Sequence, residues 1–243
     1  MDSESKSCFP AAESALGAAV QYVVGSGVAG DVAEFGCLHG RTAAILARSM
    51  AAAAEKYATS DLRHGIAERR LWLLDSFEGF PEASDPIDAA SPHIAAKVWR
   101  PGAPAGGSVD LVMQRCCSYL LPRQIKVIPG WFSATLQQIP DGIKFALVHM
   151  DCDLYSSTRE VLDRLFAGDM LSDGATILFD DWYCNRGSPR FGQQRAWAEK
   201  WAERKHSCRG RLESTGFMSG DHLSFSDWGP YGIAGRRFII HHL

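Results

Sequence analysis

Two acidic pairs follow short apolar runs of the chain, and their spacing points to metal chemistry. Asp151 and Asp153 come directly after the run FALVHM, and Asp180 and Asp181 come directly after the run ATILF. Carboxylates this close repel one another and raise each other's pKa unless a positive group lies among them. A set of oxygen ligands of this kind suits Mg²⁺, Mn²⁺ or Ca²⁺. The alternative is that each pair is a solvated strand end.

The elements around these acids follow a strand–helix–strand pattern. The two apolar runs are typical of strands, and the segment between them has helical spacing at Val161, Leu162 and Leu165. Ser157 to Glu160 (STRE) resembles a capping box, which predicts that the helix begins there. Ser172 to Gly174 (SDG) is a turn signal, which predicts that the helical segment closes there. Because the strands of such a unit are parallel, both acidic pairs are expected at one carboxyl edge of the sheet, where open α/β sheets bind ligands.

A second candidate site follows the first predicted strand, where the chain reads EFGCLHG. Gly36 allows a tight turn, and Gly40 opens a helix whose N-terminus favours negative groups. The next predicted strand ends in Asp75, at the position where an acid can bind the hydroxyls of a nucleoside ribose. Ser76 and Phe77 follow, and Phe77 either stacks on an adenine or packs in the core. The pattern predicts a nucleoside-containing cofactor, and a tight turn without a ligand is the alternative.

The composition bounds the class of protein. The 243 residues are 46% hydrophobic and 22% charged, which favours one α/β domain over residues 1–243. The net charge of −3 gives no electrostatic footprint for nucleic acid or an anionic membrane. The seven cysteines include no C-x-x-C, the N-terminus lacks a basic start, and the apolar runs are too short to span a membrane. These features together predict a cytoplasmic protein with reduced thiols.

The rest of the chain continues the alternation of helices and strands. An N-terminal helix is predicted at about 11–26, and its exposed face would allow a homo-oligomer without requiring one. Five strands precede a final hairpin, which predicts a mostly parallel seven-stranded sheet with helices on both faces and a C-terminal antiparallel hairpin. The region 82–107, with the run RPGAPAGG, is predicted to be either a lid beside the ligand edge or a plain surface loop.

Five segments of the chain resemble successive motifs of the macrocin O-methyltransferase (TylF-like) family: EFGCLHGRTA, LLDSFEGFPE, VIPGWFSATL, VHMDCDLYSST and ILFDDW. The resemblance covers about residues 30 to 200, and the strings DSFEG-x-P and D-x-DLY-x-ST followed by DD are specific to it. Members of the family are class I S-adenosylmethionine-dependent methyltransferases with a Rossmann-like fold. They methylate hydroxyls, typically on sugars of natural products, with a divalent metal, and the resemblance implies the same activity here.

The resemblance also implies roles for the acidic residues. Asp151, Asp180 and Asp181 match the metal ligands of the family, with Mg²⁺ or another divalent cation bound. Asp153 matches the acid that is proposed as the general base in some members. His149 shares a strand face with Asp151, so it is either a rival base or a buried structural histidine.

The candidate residues for S-adenosylmethionine lie in the first two motifs. The resemblance places Glu34 and Gly36 in the turn on the methionine side of the cofactor and makes Asp75 the ribose ligand. Arg41 replaces a small residue of the family's usual G-x-x-R-G-G-S, which puts the details of binding at that turn in doubt. The full predicted cofactor-binding set is Glu34, Gly36, Gly40, Thr42, Asp75, Ser76 and Phe77.

The predicted mechanism is direct displacement. A metal on the acids would lower the pKa of a substrate hydroxyl, Asp153 would accept its proton, and the oxygen would attack the sulfonium methyl held in line. Three alternatives remain open from the residues: a metal-dependent glycosyltransferase that uses the D-x-D, a metal-free small-molecule methyltransferase, and a catalytically silent binding protein. The glycosyltransferase hypothesis leaves the DSFEG string unexplained. The sequence identifies the acceptor only as a hydroxyl-bearing small molecule.

Overall fold

The computed structural model of the protein describes residues 9–58, 68–212, 225–228 and 235–240. Most of the predicted connection from Thr59 to Arg70 therefore lies outside the described residues. Among the described helices, none combines the length and the apolar composition that a membrane span requires. The elements in chain order are α1 (Phe9–Gly25), β1 (Asp31–Phe35), α2 (Arg41–Lys56), β2 (Leu71–Asp75), α3 (Pro86–Ala89), α4 (Pro92–Ala95), α5 (Val109–Cys116), β3 (Ile125–Pro129), α6 (Phe132–Thr135), β4 (Phe145–Met150), α7 (Tyr155–Ala167), β5 (Leu171–Phe179), α8 (Gly192–Leu212), β6 (Phe225–Trp228) and β7 (Gly235–Ile239).

These strands form one sheet in the order β3-β2-β1-β4-β5-β7-β6. The first five strands are parallel, whereas β7 runs antiparallel to both β5 and β6. The predicted fold class, a mostly parallel α/β sheet that ends in an antiparallel pair, is confirmed. All six residues of β4 are buried, as expected for a central parallel strand that is covered on both faces.

Each face of the sheet carries its own hydrophobic cluster. The alternation of side chains along β2 divides its residues between them, with Leu71 and Leu73 in one cluster and Trp72 and Leu74 in the other. Helices α1, α2 and α5 cover the first face, and α7 and α8 cover the second. The helices thus hold the strands in register from both sides.

The parallel register brings the carboxyl ends of the strands into one row. Phe35 pairs with Leu74 on one side and with Met150 on the other, and Met150 pairs with Phe179. The residue after each strand continues this row, since the amide of Asp151 donates to the carbonyl of Phe35 at 2.9 Å. The expectation that both acidic pairs lie at one edge of the sheet is therefore confirmed.

Two local expectations are wrong. Helix α7 begins at Tyr155 with Leu154 as its N-cap residue, so the predicted capping box at Ser157 lies inside the helix. Strand β5 begins at Leu171, so the predicted turn at 172–174 is part of the strand, where Gly174 donates to the carbonyl of Ile240 at 2.8 Å. In both cases a long-range partner overrides a local signal, because Ile240 supplies the pairing for β5 and a distant side chain caps α7.

Residues 80–103, here called the cover segment, cross the carboxyl edge of the sheet between β2 and α5. The two ends of the cover segment meet in a backbone pair: the amide of Phe80 donates to the carbonyl of Ala103 at 3.2 Å, and the amide of Gly102 donates to the carbonyl of Phe80 at 2.9 Å. Between these ends lie the short helices α3 and α4. The predicted lid region thus forms a closed loop with its own short helices.

Candidate active site

A cavity of about 320 Å³ opens at the carboxyl edge of the sheet, beneath the cover segment. Its wall joins four of the sequence motifs: the glycine turn after β1, the acidic end of β2, the turn after β3 and the D-x-D after β4. The predicted site residues that line it are Gly36, Asp75, Ser76, Asp151 and Asp153. The structure therefore brings the candidate cofactor residues and part of the acidic cluster into one space.

The glycine turn packs directly against the D-x-D. Gly36 has φ 87°, and a Cβ on this residue would lie 1.9 Å from the carbonyl oxygen of Asp151. Only glycine fits this backbone contact without displacing one of the two turns. Gly40 (φ 71°) and Thr42 lie at the start of α2 and are not part of the cavity wall, so their predicted contact with a cofactor has no support in this geometry.

Asp75 fixes the glycine turn from the neighbouring strand. Its Oδ2 accepts the amides of Cys37 and Leu38, each at 2.8 Å, and its Oδ1 accepts the amide of Phe77 at 2.6 Å. These bonds hold the carboxylate at the cavity wall and tie the ends of β1 and β2 together. A carboxylate has about four acceptor positions, so this arrangement leaves one open toward the cavity.

The aromatic wall of the cavity differs from the prediction. Phe77, the predicted stacking residue, has φ 58° and packs against the hydrophobic cluster instead of lining the cavity. Phe80, Trp99 and Trp131 line it, and the ring of Phe80 lies 5.8 Å from that of Trp99. Phe77 and Phe80 both belong to the DSFEGF string. The positive φ of Phe77 directs its ring to the hydrophobic cluster, and the ring of Phe80 lines the cavity instead.

Three carboxylates form a compact cluster after β4 and β5. One oxygen from each of Asp151, Asp153 and Asp181 lies within 4.8 Å of the others. Loss of hydration and the neighbouring acids raise the pKa of Asp151 and of Asp153. Loss of hydration, followed by the charge of Asp180, raises the pKa of Asp181 to about 7. Such a set fits a divalent cation, because a cation among the three oxygens would remove the repulsion that raises these pKa values.

Asp180, the third predicted metal ligand, lies beside the compact cluster. It is absent from the compact cluster, and its Oδ1 lies 3.6 Å from Nε2 of His149. The structure therefore groups Asp153, and not Asp180, with the two other acids. Asp180 still lies near the cluster, because its charge raises the pKa of both Asp151 and Asp181.

His149 is a poor candidate for the general base. Its side chain is fully buried and does not line the cavity, and its Nδ1 lies 2.8 Å from Oε1 of the equally buried Glu34. Burial opposes a charge on the ring, but the contacts with Asp180 and Glu34 outweigh it and raise the pKa of His149. The histidine thus supplies a positive charge behind the acidic cluster. The predicted contact of Glu34 with a cofactor is not supported, since Glu34 is enclosed with this histidine.

Gln193 is a supporting residue that the sequence did not reveal. Its Oε1 accepts the amide of Asp181 at 2.9 Å, and its Nε2 donates to the carbonyl of Met150 at 3.0 Å. The side chain is 1% exposed and joins the ends of β4 and β5 from the start of α8. A glutamine at a helix start carries no motif, so only the fold shows that it orients Asp181.

Comparisons with known proteins place this site in a family. The model of the macrocin-O-methyltransferase (TylF) family matches residues 13–200. The chain is 31% identical over 164 residues, 67% of its own length and 57% of the relative, to the "8-demethyl-8-(2,3-dimethoxy-alpha-L-rhamnosyl)-tetracenomycin-C 4'-O-methyltransferase" of Streptomyces olivaceus. It is 30% identical over 166 residues to the "Mycinamicin III 3''-O-methyltransferase" of Micromonospora griseorubida, covering 68% of this chain and 59% of that protein. The chain thus spans less than two thirds of the length of these relatives.

Solved structures agree on the fold. The O-methyltransferase NovP has a TM-score of 0.68 at 23% identity, over 95% of this chain and 79% of that one. A calicheamicin methyltransferase has a TM-score of 0.62 at 20% identity, over 93% and 77% of the two chains. The predicted methyltransferase fold is therefore confirmed, and the family match gives no support to the glycosyltransferase alternative. The five motifs, the cavity that four of them share and the family match over residues 13–200 lead to one conclusion: the chain belongs to the macrocin-O-methyltransferase (TylF) family.

Proposed function

We propose that this protein is an S-adenosylmethionine-dependent O-methyltransferase that methylates a hydroxyl of a small molecule, with a sugar of a natural product as the acceptor class. The observation that carries the proposal is the shared cavity, in which Gly36 and Asp75 face the same space as Asp151 and Asp153. Membership of the family supports the reaction type. The Streptomyces olivaceus relative is named for a rhamnosylated substrate, which supports the acceptor class.

The cofactor site consists of the glycine turn, Asp75 and the aromatic wall. S-adenosylmethionine supplies an electrophilic methyl group on its sulfonium. Asp75 is held by three amides and has an acceptor position left for a ribose hydroxyl, which fixes the nucleoside end. Phe80 and Trp99 offer flat apolar surfaces for a purine ring and exclude water from the space above the sheet edge.

The acidic cluster has the ligand chemistry of a divalent-metal site. Asp151 and Asp181 would hold the ion, with Asp180 as the third predicted ligand, which the contact with His149 orients, and Asp153 would lie beside them. A divalent cation supplies Lewis acidity, which lowers the pKa of an acceptor hydroxyl. Mg²⁺ is the first candidate because the donors are all carboxylate oxygens.

Asp153 is the residue placed to accept the proton. It lines the cavity, where its carboxylate can accept the proton of a hydroxyl whose pKa is lowered. The proton of the acceptor hydroxyl would pass to the carboxylate of Asp153 as the hydroxyl oxygen bonds the methyl carbon and the carbon–sulfur bond breaks, which leaves S-adenosylhomocysteine. Asp151 orients the acceptor from the same wall, and the aromatic side chains keep competing water away.

The first test is calorimetric titration with S-adenosylhomocysteine of the wild type, Asp75→Ala and the control Asp31→Asn. Asp31 makes the same kind of contacts, to the amide of Arg70 at 2.9 Å and to Nε1 of Trp72 at 2.8 Å, but at the opposite end of β1. We expect micromolar binding by the wild type and the control, on the order of typical cofactor affinities, and its loss in Asp75→Ala. Absence of binding by the wild type would overturn the proposed cofactor.

The second test separates the metal-dependent reaction from the metal-free one. The protein is incubated with S-adenosylmethionine and a panel of rhamnosylated and non-glycosylated phenolic or macrocyclic acceptors, with Mg²⁺ or with EDTA. We expect S-adenosylhomocysteine to form only with the rhamnosylated acceptors and only with Mg²⁺. Full turnover in EDTA would contradict the metal role, and turnover of the non-glycosylated acceptors alone would contradict the sugar assignment.

A further inference from the structure

Helix α7 follows the D-x-D directly, but none of its own residues caps its N-terminus. Its first amides belong to Tyr155 and Ser156, and the N-cap residue Leu154 has no side chain that can accept a hydrogen bond. Asp88 of the cover segment accepts both amides instead, that of Tyr155 at Oδ1 (2.8 Å) and that of Ser156 at Oδ2 (3.0 Å). A carboxylate at a helix N-terminus satisfies unpaired amides and complements the helix dipole.

Asp88 is built into this contact and is not a surface acid that lies nearby. It is 2% exposed, and it is one of only three buried residues of the cover segment, together with Ser91 and Trp99. A buried carboxylate is costly unless charge-assisted hydrogen bonds compensate for its lost hydration. The two amides of α7 offset part of that cost, although loss of hydration still raises the pKa of Asp88.

A second contact joins the cover segment to the loop after β5. The amide of His93 donates to Oδ1 of Asn185 at 3.1 Å, and the amide of Asn185 donates to Nδ1 of His93 at 2.9 Å. Asn185 is 2% exposed. The ring of His93 lies 4.6 Å from that of Trp99, which lines the cavity. The reciprocal pair thus connects the aromatic wall to the loop that follows Asp181.

Both contacts end beside strained backbone in the acidic cluster. Asp153 has φ 57° and Asn185 has φ 56°, the left-handed conformation, which Asp and Asn adopt more readily than other non-glycine residues but which local contacts still help to hold. The amides that Asp88 holds begin two residues after Asp153. A Cβ on Gly192 would lie 3.0 Å from Nδ2 of Asn185 and 3.5 Å from the carbonyl oxygen of Asp153, so the two strained residues are neighbours.

We propose that Asp88 and the His93–Asn185 pair are positioning residues that couple closure of the cover segment to the alignment of Asp153 and Asp181. When the cover segment lies over the cavity, Asp88 fixes the start of α7 and His93 fixes the loop after β5. When it lifts, both contacts break, and the strained turn at Asp153 loses part of what imposes its conformation. The consequence for catalysis rests on the proposed function, whereas the coupling itself is a property of the chain.

The test compares Asp88→Ala with Asp85→Ala. Asp85 lies in the same segment and caps only its own short helix, where its Oδ1 accepts the amide of Ile87 at 2.7 Å. Backbone hydrogen exchange is followed by mass spectrometry over the cover segment and over 154–160. We expect Asp88→Ala to speed exchange at both places, including the amides of Tyr155 and Ser156. We expect Asp85→Ala to change only the residues around α3.

The kinetic arm uses the same two variants. We expect S-adenosylhomocysteine to dissociate from Asp88→Ala at least about tenfold faster than from the wild type, the effect of losing one charge-assisted hydrogen bond. We expect kcat to fall as well, because Asp153 is displaced, and Asp88→Asn to recover part of both, since its Oδ1 still accepts the amide of Tyr155. A residue that only stabilised the fold would leave the dissociation rate unchanged.

The outcomes are distinguishable. Equal exchange over 154–160 and equal dissociation rates in Asp88→Ala and Asp85→Ala would overturn the coupling. If the wild type itself binds no S-adenosylhomocysteine, the proposed function fails, and the exchange data still decide the coupling. Should Asp88→Ala fail to fold, His93→Ala gives the second test, with faster exchange expected at the amide of Asn185 and within the cover segment.

Discussion

The two walls of the cavity are built in different ways. The acidic wall stands on β4, in which every residue is buried, and its charged residues are linked to Gln193 and His149 by buried polar contacts. The cover segment has two helices of four residues each, and few of its side chains are buried. The chemistry is thus fixed by the core of the domain, whereas the opposite wall is held by a few polar contacts.

This difference separates two kinds of substitution. Changes in the acidic wall act on the reaction and on stability, because the same core supports both. Changes in the cover segment other than at Asp88 and His93 act on binding with little effect on the free energy of unfolding, because its residues contribute little to the hydrophobic clusters. Substitutions in the two walls should therefore have different effects on the reaction, on binding and on stability.

The largest effect is expected for Asp153→Asn. The amide cannot accept the acceptor's proton, so kcat should fall about 10²–10⁴-fold. The affinity for S-adenosylhomocysteine should stay close to that of the wild type, since Asp153 makes no contact with the glycine turn. Single-turnover methyl transfer and calorimetry measure the two quantities, and an unchanged kcat would remove Asp153 as the base.

The next effect concerns stability and compares one residue from each region. Leu162 of α7 is fully buried beneath the acidic wall, so Leu162→Ala should lower the free energy of unfolding by about 2–5 kcal/mol. Val98 of the cover segment is 61% exposed, so Val98→Ala should stay within about 0.5 kcal/mol of the wild type. Urea denaturation checks both, and similar losses would show that the cover segment belongs to the folding core.

A pH effect is expected for Asp181 of the acidic wall. The pKa of Asp181 rises from 3.8 to about 7 in the folded protein, so the folded state holds this proton more tightly than the unfolded state. Its contribution to stability is complete below the unfolded pKa and is lost as the pH rises through about 7. In EDTA the slope should be about 1.4 kcal/mol per pH unit for one proton within that window.

Thermal unfolding from pH 5 to pH 8 measures this slope, with Asp181→Asn as the control that cannot titrate. The variant should show a flatter pH dependence than the wild type in EDTA. Mg²⁺ should raise the Tm of the wild type more at pH 8 than at pH 5, because protons compete with the cation at low pH. Parallel curves for the two proteins would show that Asp181 does not hold the proton.

The smallest effect is expected for Trp99→Leu in the cover segment. Loss of the flat ring should weaken S-adenosylhomocysteine up to about tenfold, the range for one aromatic contact. The Tm should change little, because the ring packs mainly on His93 and Phe80 of the same segment. A large loss of Tm with unchanged affinity would reverse the roles assigned to the two walls.

The order of strands and the shared edge of the acids could be predicted because both follow from local patterns. Apolar runs that end in Asp75, Asp151 and Asp180 mark the strand ends, and the right-handed parallel connection then places these ends together. The orientation of single side chains could not be predicted in this way. Asp180 and Asp181 are adjacent in sequence, yet one contacts His149 and the other joins the compact cluster.

The errors share a physical cause, which is contact between residues far apart in the chain. Ser157 has the pattern of a helix cap, but the amides before it are taken by Asp88, 67 residues away from Tyr155. Phe77 has the pattern of a stacking ring, but its positive φ directs it to the core. Local propensity gives each residue its options, and the packed neighbours select among them.

The backbone pair that joins Phe80 to Ala103 has a consequence for engineering. The two ends of the cover segment lie side by side and are held by backbone hydrogen bonds, so the segment between them can be replaced as a unit. The entropy of closing a loop grows only slowly with its length, so inserts of other lengths can be exchanged between these ends without rebuilding the sheet. Grafts that keep an acid to cap α7 offer a route to new acceptor specificity on an unchanged catalytic base.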